Sequence, residues 1–195
     1  MALMQQVAIP AGASGVWKVD CFEVTPQMAR FGALRADIGH PRDYVQVGRY
    51  TRLTRAGTIV MTDTPAEMRD HYEPVFQAHK LVKGSVLIVG LGLGMVTSAI
   101  LRSPQITEVT VIEKSADVIA LVAPHIQDPR LTIIEADIFE WKPPAGKHYD
   151  VAWFDIWDDI CADNLPEMAT LKRRFARRVG WQGCWAQEEC RRNRE

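Results

Sequence analysis

Residues 85–101, "SVLIVGLGLGMVTSAIL", hold the pattern on which the fold turns. Val86–Val89 is an apolar run of strand length that passes into Gly90-Leu91-Gly92-Leu93-Gly94, and an apolar helical stretch follows. Glycines at such a junction permit a tight turn and let a ligand approach the backbone closely, while the helix start offers unpaired N–H groups. A plain strand-to-helix turn has the same composition, so the loop alone does not decide. The next strand adds the missing half. "EVTVIE", residues 108–113, ends in Glu113, nineteen residues past Gly94. An acid at the tip of the second strand is where a parallel α/β site holds the two hydroxyls of a ribose; a solvated strand end is the plainer alternative. Loop, helix and acid together point to an adenosine-containing cofactor.

Working outward, the chain from Lys80 onward alternates between strand and helix. Apolar runs at 85–89, 109–112, 131–134, 149–154 and 184–186 read as strands, with helices expected at 94–102, 115–126 and 163–179. Short strands separated by helices of this length build right-handed βαβ units, hence a parallel sheet with helices on both faces. Upstream, Gly15–Val24 reads as a strand, and a mixed stretch follows that carries no clear period. "YVQVGRYTRL" (44–53) and "GTIVMT" (57–62) flank Arg55-Ala56-Gly57, a hairpin turn signal. Thr64-Pro65-Ala66-Glu67 opens a helix with a capping box, and Met68, Tyr72, Val75, Phe76 and His79 fall on one helical face. The expected division is a β-rich segment plus helix over 1–80 and a cofactor-binding core over 81–195.

Composition excludes several classes. The 195 residues are 47% apolar and 24% charged, ordinary for one globular domain with a small appendage. A net charge of −1 gives no electrostatic reason to expect a nucleic acid or an anionic membrane as partner. Cys21, Cys161, Cys184 and Cys190 are widely spaced, which argues against a disulfide framework or a zinc site and for a reducing cytoplasm. No apolar run reaches the roughly 18 residues of a bilayer span, and the N-terminus lacks the marks of a signal peptide.

The strictly alternating glycines, with Met95 directly after Gly94, resemble the first motif of the class I S-adenosylmethionine-dependent methyltransferase fold over roughly residues 84–190. That resemblance implies a Rossmann-like α/β core and S-adenosylmethionine, or its decarboxylated form, as cofactor. It implies that Gly90, Leu91, Gly92, Gly94, Glu113 and the adjoining Lys114 surround the amino-acid and ribose portions. Asp137, in "TIIEADIF", and the adjoining Ile138 would meet the adenine; Asp137 equally suits a cap on the segment that follows.

"VAWFDIWDDICADN", residues 151–164, ends the fourth core strand in a row of acids. In the implied fold this strand lies beside the first, so Asp155 faces the same cleft as the glycine loop. Acids gathered at the N-terminus of the next helix are the alternative, one that suits Asp158, Asp159 and Asp163 better than Asp155. The stretch 57–79, with Glu67 and His71, is similar to the spermidine synthase subgroup, whose Asp-x-x-Asp would fall on Asp155 and Asp158. Two positions depart from that subgroup: Leu93 replaces an acid of the glycine loop, and Asp70 replaces a Tyr before His71. "FDIWDD" is also similar to the Asp-x-Trp segment of metal-dependent O-methyltransferases, although Asp158 replaces their lysine and Gln187-Glu188 their Asp-Asn pair. No metal ligand set is assigned. The basic residues of 172–178 read as the solvated side of a helix whose buried face is Leu165, Met168, Leu171, Phe175 and Val179.

These features imply a methyltransferase acting on a small-molecule acceptor, with Asp155, Asp158 and His71 as the catalytic set. An ordinary Asp, with a pKa of about 3.9, is a poor base for an ammonium, so orienting the acceptor is its expected role. Aminopropyl transfer from decarboxylated S-adenosylmethionine and cofactor binding without transfer are the alternatives. The related sheets have two further strands, so the fifth strand's edge is expected to be covered by an N-terminal hairpin or by a second copy in a homodimer, burying Trp181 and Trp185.

Overall fold

The computed structural model describes residues 3–38 and 44–193. The N-terminal part is a four-stranded antiparallel sheet of β1 (Gly12–Ser14), β2 (Trp17–Val24), β3 (Gly48–Arg55) and β4 (Thr58–Thr62), in that order. β3 and β4 are joined by Ala56 and Gly57, both at positive φ (48° and 87°), the backbone that lets a two-residue turn match the twist of its strands. Between β2 and β3, in the stretch with no clear period, lies α1 (Pro26–Asp37). Its start is well marked: the Thr25 hydroxyl accepts from Met28 N at 3.3 Å and Pro26 takes the first helical position.

The helix expected after Thr64 is two helices, α2 (Pro65–Asp70) and α3 (Tyr72–His79), broken at His71. Pro74 explains the break, because it has no N–H to offer the Asp70 carbonyl and its ring would collide there. The break also turns the second half: Val75, Ala78 and His71 are buried, whereas Tyr72 and Phe76 are exposed, contrary to the single face expected.

The core is β5 (Gly84–Val89), α4 (Met95–Leu101), β6 (Ile106–Glu113), α5 (Ala116–Val122), β7 (Leu131–Glu135), β8 (Tyr149–Phe154), α6 (Leu165–Phe175), β9 (Val179–Cys184) and α7 (Gln187–Arg192). The strands pair in the order β7-β6-β5-β8-β9, every pair parallel. Alternate strand residues go to opposite faces. Val86, Ile88, Val109, Val111, Val151 and Trp153 form one core with Val19, Leu53 and Met61 of the N-terminal sheet. Leu87, Val89, Ile112, Ala152 and Phe154 form the other with Met168, Leu171 and Phe175 of α6.

The C-terminal end of the core departs from expectation. The fifth strand is Val179–Cys184 rather than 184–186, and α6 stops at Phe175. Val179 prolongs the apolar period of α6 in the sequence, but the chain turns over 176–178, with Arg178 N donating to Phe175 O at 2.8 Å. The basic side of α6 is only partly solvated, since Arg174 donates to the Ile138 and Phe139 carbonyls at 2.7 Å each.

The N-terminal sheet does not cover β9. It docks at the other side, where β1 and β2 meet α5 and the Ser14 hydroxyl donates to Asp117 Oδ1 at 2.6 Å. Among the described residues no strand pairs with the outer edge of β9. Trp181 instead stacks on Trp153 with centroids 6.5 Å apart, and Trp185 is buried in the same cluster. No helix among the described residues is long and apolar enough to cross a membrane.

Candidate functional site

A cleft of about 580 Å³ opens over the C-terminal ends of β5, β6, β7 and β8, roofed by residues of β3 and β4. This is the point where the strand order reverses, between β5 and β8, and where loops from both sides splay apart to leave a crevice. Gly90, Gly92, Glu113, Lys114, Asp137, Ile138, Asp155 and Asp158 line it. Leu91, Gly94 and His71 do not.

The glycine loop takes its shape from two close approaches. Gly90 has φ of 97°, and a Cβ there would run into the backbone carbonyl of Asp155. Gly94 has φ of 68°, and a Cβ would meet Ile126 and Val122. It thus serves the packing of α4 against the end of α5 rather than the cleft. Leu91 and Leu93 point into the core.

Glu113 is held beneath this loop. Its Oε2 accepts from Leu91 N and its Oε1 from Ser115 N, both at 2.8 Å. A carboxylate has about four acceptor sites, so one on each oxygen remains for a ligand hydroxyl. Asp137 caps the segment after β7, its Oδ1 accepting from Phe139 N at 2.9 Å, while its Oδ2 pairs with Lys114 Nζ at 2.7 Å. The Lys114 ammonium, then the Phe139 N–H, hold the Asp137 carboxyl below the usual range. The capping role foreseen for Asp137 is therefore present, on the wall of the same cleft.

Asp155 and His71 form the second element. His71 is 1% exposed; its Nε2 lies 2.7 Å from Asp155 Oδ2 and its Nδ1 2.9 Å from the Glu67 carbonyl. A carbonyl oxygen only accepts, so Nδ1 carries a proton, and Nε2 must carry the other to face a carboxylate. Burial by itself would lower the imidazole pKa, but the Asp155 charge, its hydrogen bond and the Glu67 carbonyl outweigh it and bring His71 to about 9. His71 thus sits behind Asp155 as a buried cation and does not reach the cleft, which corrects its expected place among groups touching a substrate.

Asp158 is bound differently. Residues 155–161 form an irregular loop, so Asp158 is not one helical turn beyond Asp155, and neither acid belongs to the start of α6. The Asp158 carboxylate pairs with the Arg55 guanidinium, which also lies over the Trp17 ring at 5.6 Å. Arg55, Trp17 and Met61 bring the N-terminal sheet to the cleft, and no local pattern marks any of them as site residues. Gln187 and Glu188 lie in α7, Gln187 accepting from Lys172 and Glu188 pairing with Arg191. Among the described residues no group of three acids, histidines or cysteines is placed to hold a metal ion.

Five parallel strands in this order, a glycine loop after the central one and an acid at the tip of its neighbour decide the architecture. The core has the Rossmann-like fold of class I methyltransferases. No family model matches the chain. Among curated proteins, polyamine aminopropyltransferase 2 of Ralstonia nicotianae is 32% identical over 104 residues, 47% of this chain and 20% of that protein. Polyamine aminopropyltransferase 2 of Caldanaerobacter subterraneus is 32% identical over 93 residues, 45% of this chain and 31% of that protein. The chain thus spans less than a third of the length of these relatives. Among solved structures, spermidine synthase from Thermotoga maritima is 20% identical, with 85% of this chain and 52% of that chain covered at a TM-score of 0.48.

Proposed function

We propose that the cleft binds S-adenosylmethionine and that the chain transfers its methyl group to a small-molecule acceptor held at Asp155. The observation that carries this reading is Glu113, fastened by Leu91 N and Ser115 N under a left-handed glycine loop and opening on the same cleft as Asp155. The volume of about 580 Å³ suits a nucleoside with a small partner. When bound, the sulfonium supplies an already activated methyl carbon. The protein's task is then positioning: a donor and an acceptor held in line need little further help. Glu113 would hold the ribose, the loop glycines would let the cofactor lie against the backbone, and Asp155, kept in place by His71, would orient the acceptor's nucleophile. The acceptor's proton passes to solvent.

Aminopropyl transfer is the second reading, favoured by the names of the curated relatives. It needs two anions for a diamine. Asp158 is already neutralised by Arg55, and Leu93, where the spermidine synthase subgroup has an acid, is wholly buried. Methyl transfer therefore ranks first.

Calorimetry tests the cofactor and separates the readings. S-adenosylmethionine and S-adenosylhomocysteine are expected to bind more tightly than the decarboxylated cofactor. The reverse order, with a diamine that binds only beside the nucleoside product, would move the assignment to aminopropyl transfer. Glu113→Ala is expected to weaken S-adenosylhomocysteine by roughly 1.5–3 kcal/mol, the usual value of hydrogen bonds to a charged group. Gly92→Val should also weaken it, because Gly92 has φ of 51° and a side chain there meets Met61. Unchanged affinity in both variants would sink the assignment.

Asp158→Asn is expected to change methyl transfer by less than about threefold, an exposed ion pair being worth about 0–1 kcal/mol. A loss as large as that of Asp155→Asn, read in the same transfer assay, would instead place Asp158 against the acceptor.

A further inference from the structure

Helix α1 is inside out. Ala29 and Gly32 are buried, and Ala33 and Ala36 complete that side, while Met28, Phe31, Leu34 and Ile38 are 52, 63, 65 and 76% exposed. Gln27, Phe31, Leu34 and Ile38 follow the i, i+4, i+7, i+11 spacing of one outward stripe. A groove of about 740 Å³ runs along it. A contiguous apolar face of this kind marks a contact surface.

The flanks of the stripe indicate what covers it. Arg30 and Asp37, both exposed, lie seven residues apart on one flank, and Met28 and Arg35 lie seven apart on the other. When two such helices pack antiparallel about a two-fold axis, like flanks face each other. An axis near Ala33 sets Phe31 of one copy against Leu34 of the second, Gln27 against Ile38, and Arg30 against Asp37 twice over. The helix is complementary to itself, in the apolar contacts of Phe31 with Leu34 and in charge.

We infer that α1 is the contact of a homodimer, formed by two copies of this helix packed antiparallel. A different partner would have no reason to reproduce the Arg30–Asp37 spacing in reverse. The open surface of the stripe and its flanks is on the order of 500 Å² per copy, so the pair buries on the order of 1,000 Å², the lower bound for a specific interface. The dimer is accordingly weak and reversible.

Sedimentation velocity on the full chain, from micromolar to submillimolar concentration, tests this. The wild type is expected to show a monomer–dimer equilibrium, and Phe31→Glu combined with Leu34→Glu to remain monomeric. Arg30→Asp and Asp37→Arg should each weaken association about tenfold, since each converts two attractions into two repulsions, and the double reversal should recover the wild-type value to within about twofold. These positions are exposed, so thermal melts of the variants should match the wild type. A wild type that stays monomeric throughout overturns the inference, including one that instead sediments with phosphatidylcholine vesicles. So does a dimer whose affinity none of these changes moves, as one formed along the edge of β9 would behave.

Discussion

Asp155→Asn is expected to slow transfer by at least about a hundredfold while leaving S-adenosylhomocysteine affinity within a few-fold of wild type. Asparagine preserves the size of the side chain and can still present an oxygen to His71 Nε2. What it removes is the negative charge at the cleft, on the side where β8 meets β5. On the proposed reading nucleoside product is held by Glu113 and the glycine loop, which Asp155 meets only through its backbone. Product formation in single-turnover assays gives the first quantity and calorimetry the second. Equal, small losses from Asp155→Asn and Asp158→Asn would show that neither acid meets the acceptor.

The second large effect concerns His71. Its pKa is about 9 in the folded protein against 6.5 as the ordinary value, so protonation favours the fold. The stabilisation is fully present below pH 6.5, declines between 6.5 and about 9, and is lost above. Across that window the wild type should lose on the order of 3 kcal/mol, measured by urea unfolding at successive pH values. His71→Leu should abolish the slope and lower stability at pH 6 by about 2–4 kcal/mol, because Asp155 loses its buried counter-ion. Cys184, pushed up to about 12 by burial, contributes a loss of its own only above the ordinary thiol value of 9.0. A slope that persists in His71→Leu would mean that other groups set the pH dependence.

Why the Glu113 side of the cleft was legible and the Asp155 side less so follows from distance along the chain. Gly90, Gly92 and Gly94, the helix behind them and Glu113 lie close together in sequence, and each belongs to a local pattern of strand, turn and helix. His71 and Asp155 are 84 positions apart and Arg55 and Asp158 are 103 apart. No local period reports such pairs. Asp155 was readable as the acid at a strand tip and the resemblance set His71 in the same site, but that the two form a buried charged pair was not readable. Helix α1 went unread because its alanines and glycine face inward and its large residues outward, which inverts the amphipathic rule. The fifth strand was misplaced because Val179 extends the stripe of α6, while Gly180 and Gly183 break the apolar run by which a strand is known.

The position of β5 between β6 and β8 also orders events during folding. Val86 meets Val109 after one short crossover, but it meets Val151 only when two further strands and their connections have been laid down. Closing the shorter loop costs less chain entropy, so β5, α4 and β6 should condense first and recruit β8 later. The wall of the cleft that carries the glycine loop and Glu113 is then assembled early from neighbouring sequence. The Asp155–His71 pair forms only once positions 84 residues apart are brought together, so an intermediate halted before that step would hold Glu113 in place and leave Asp155 without His71. Protection of backbone amides against hydrogen exchange should accordingly arise in β5 and β6 before β8.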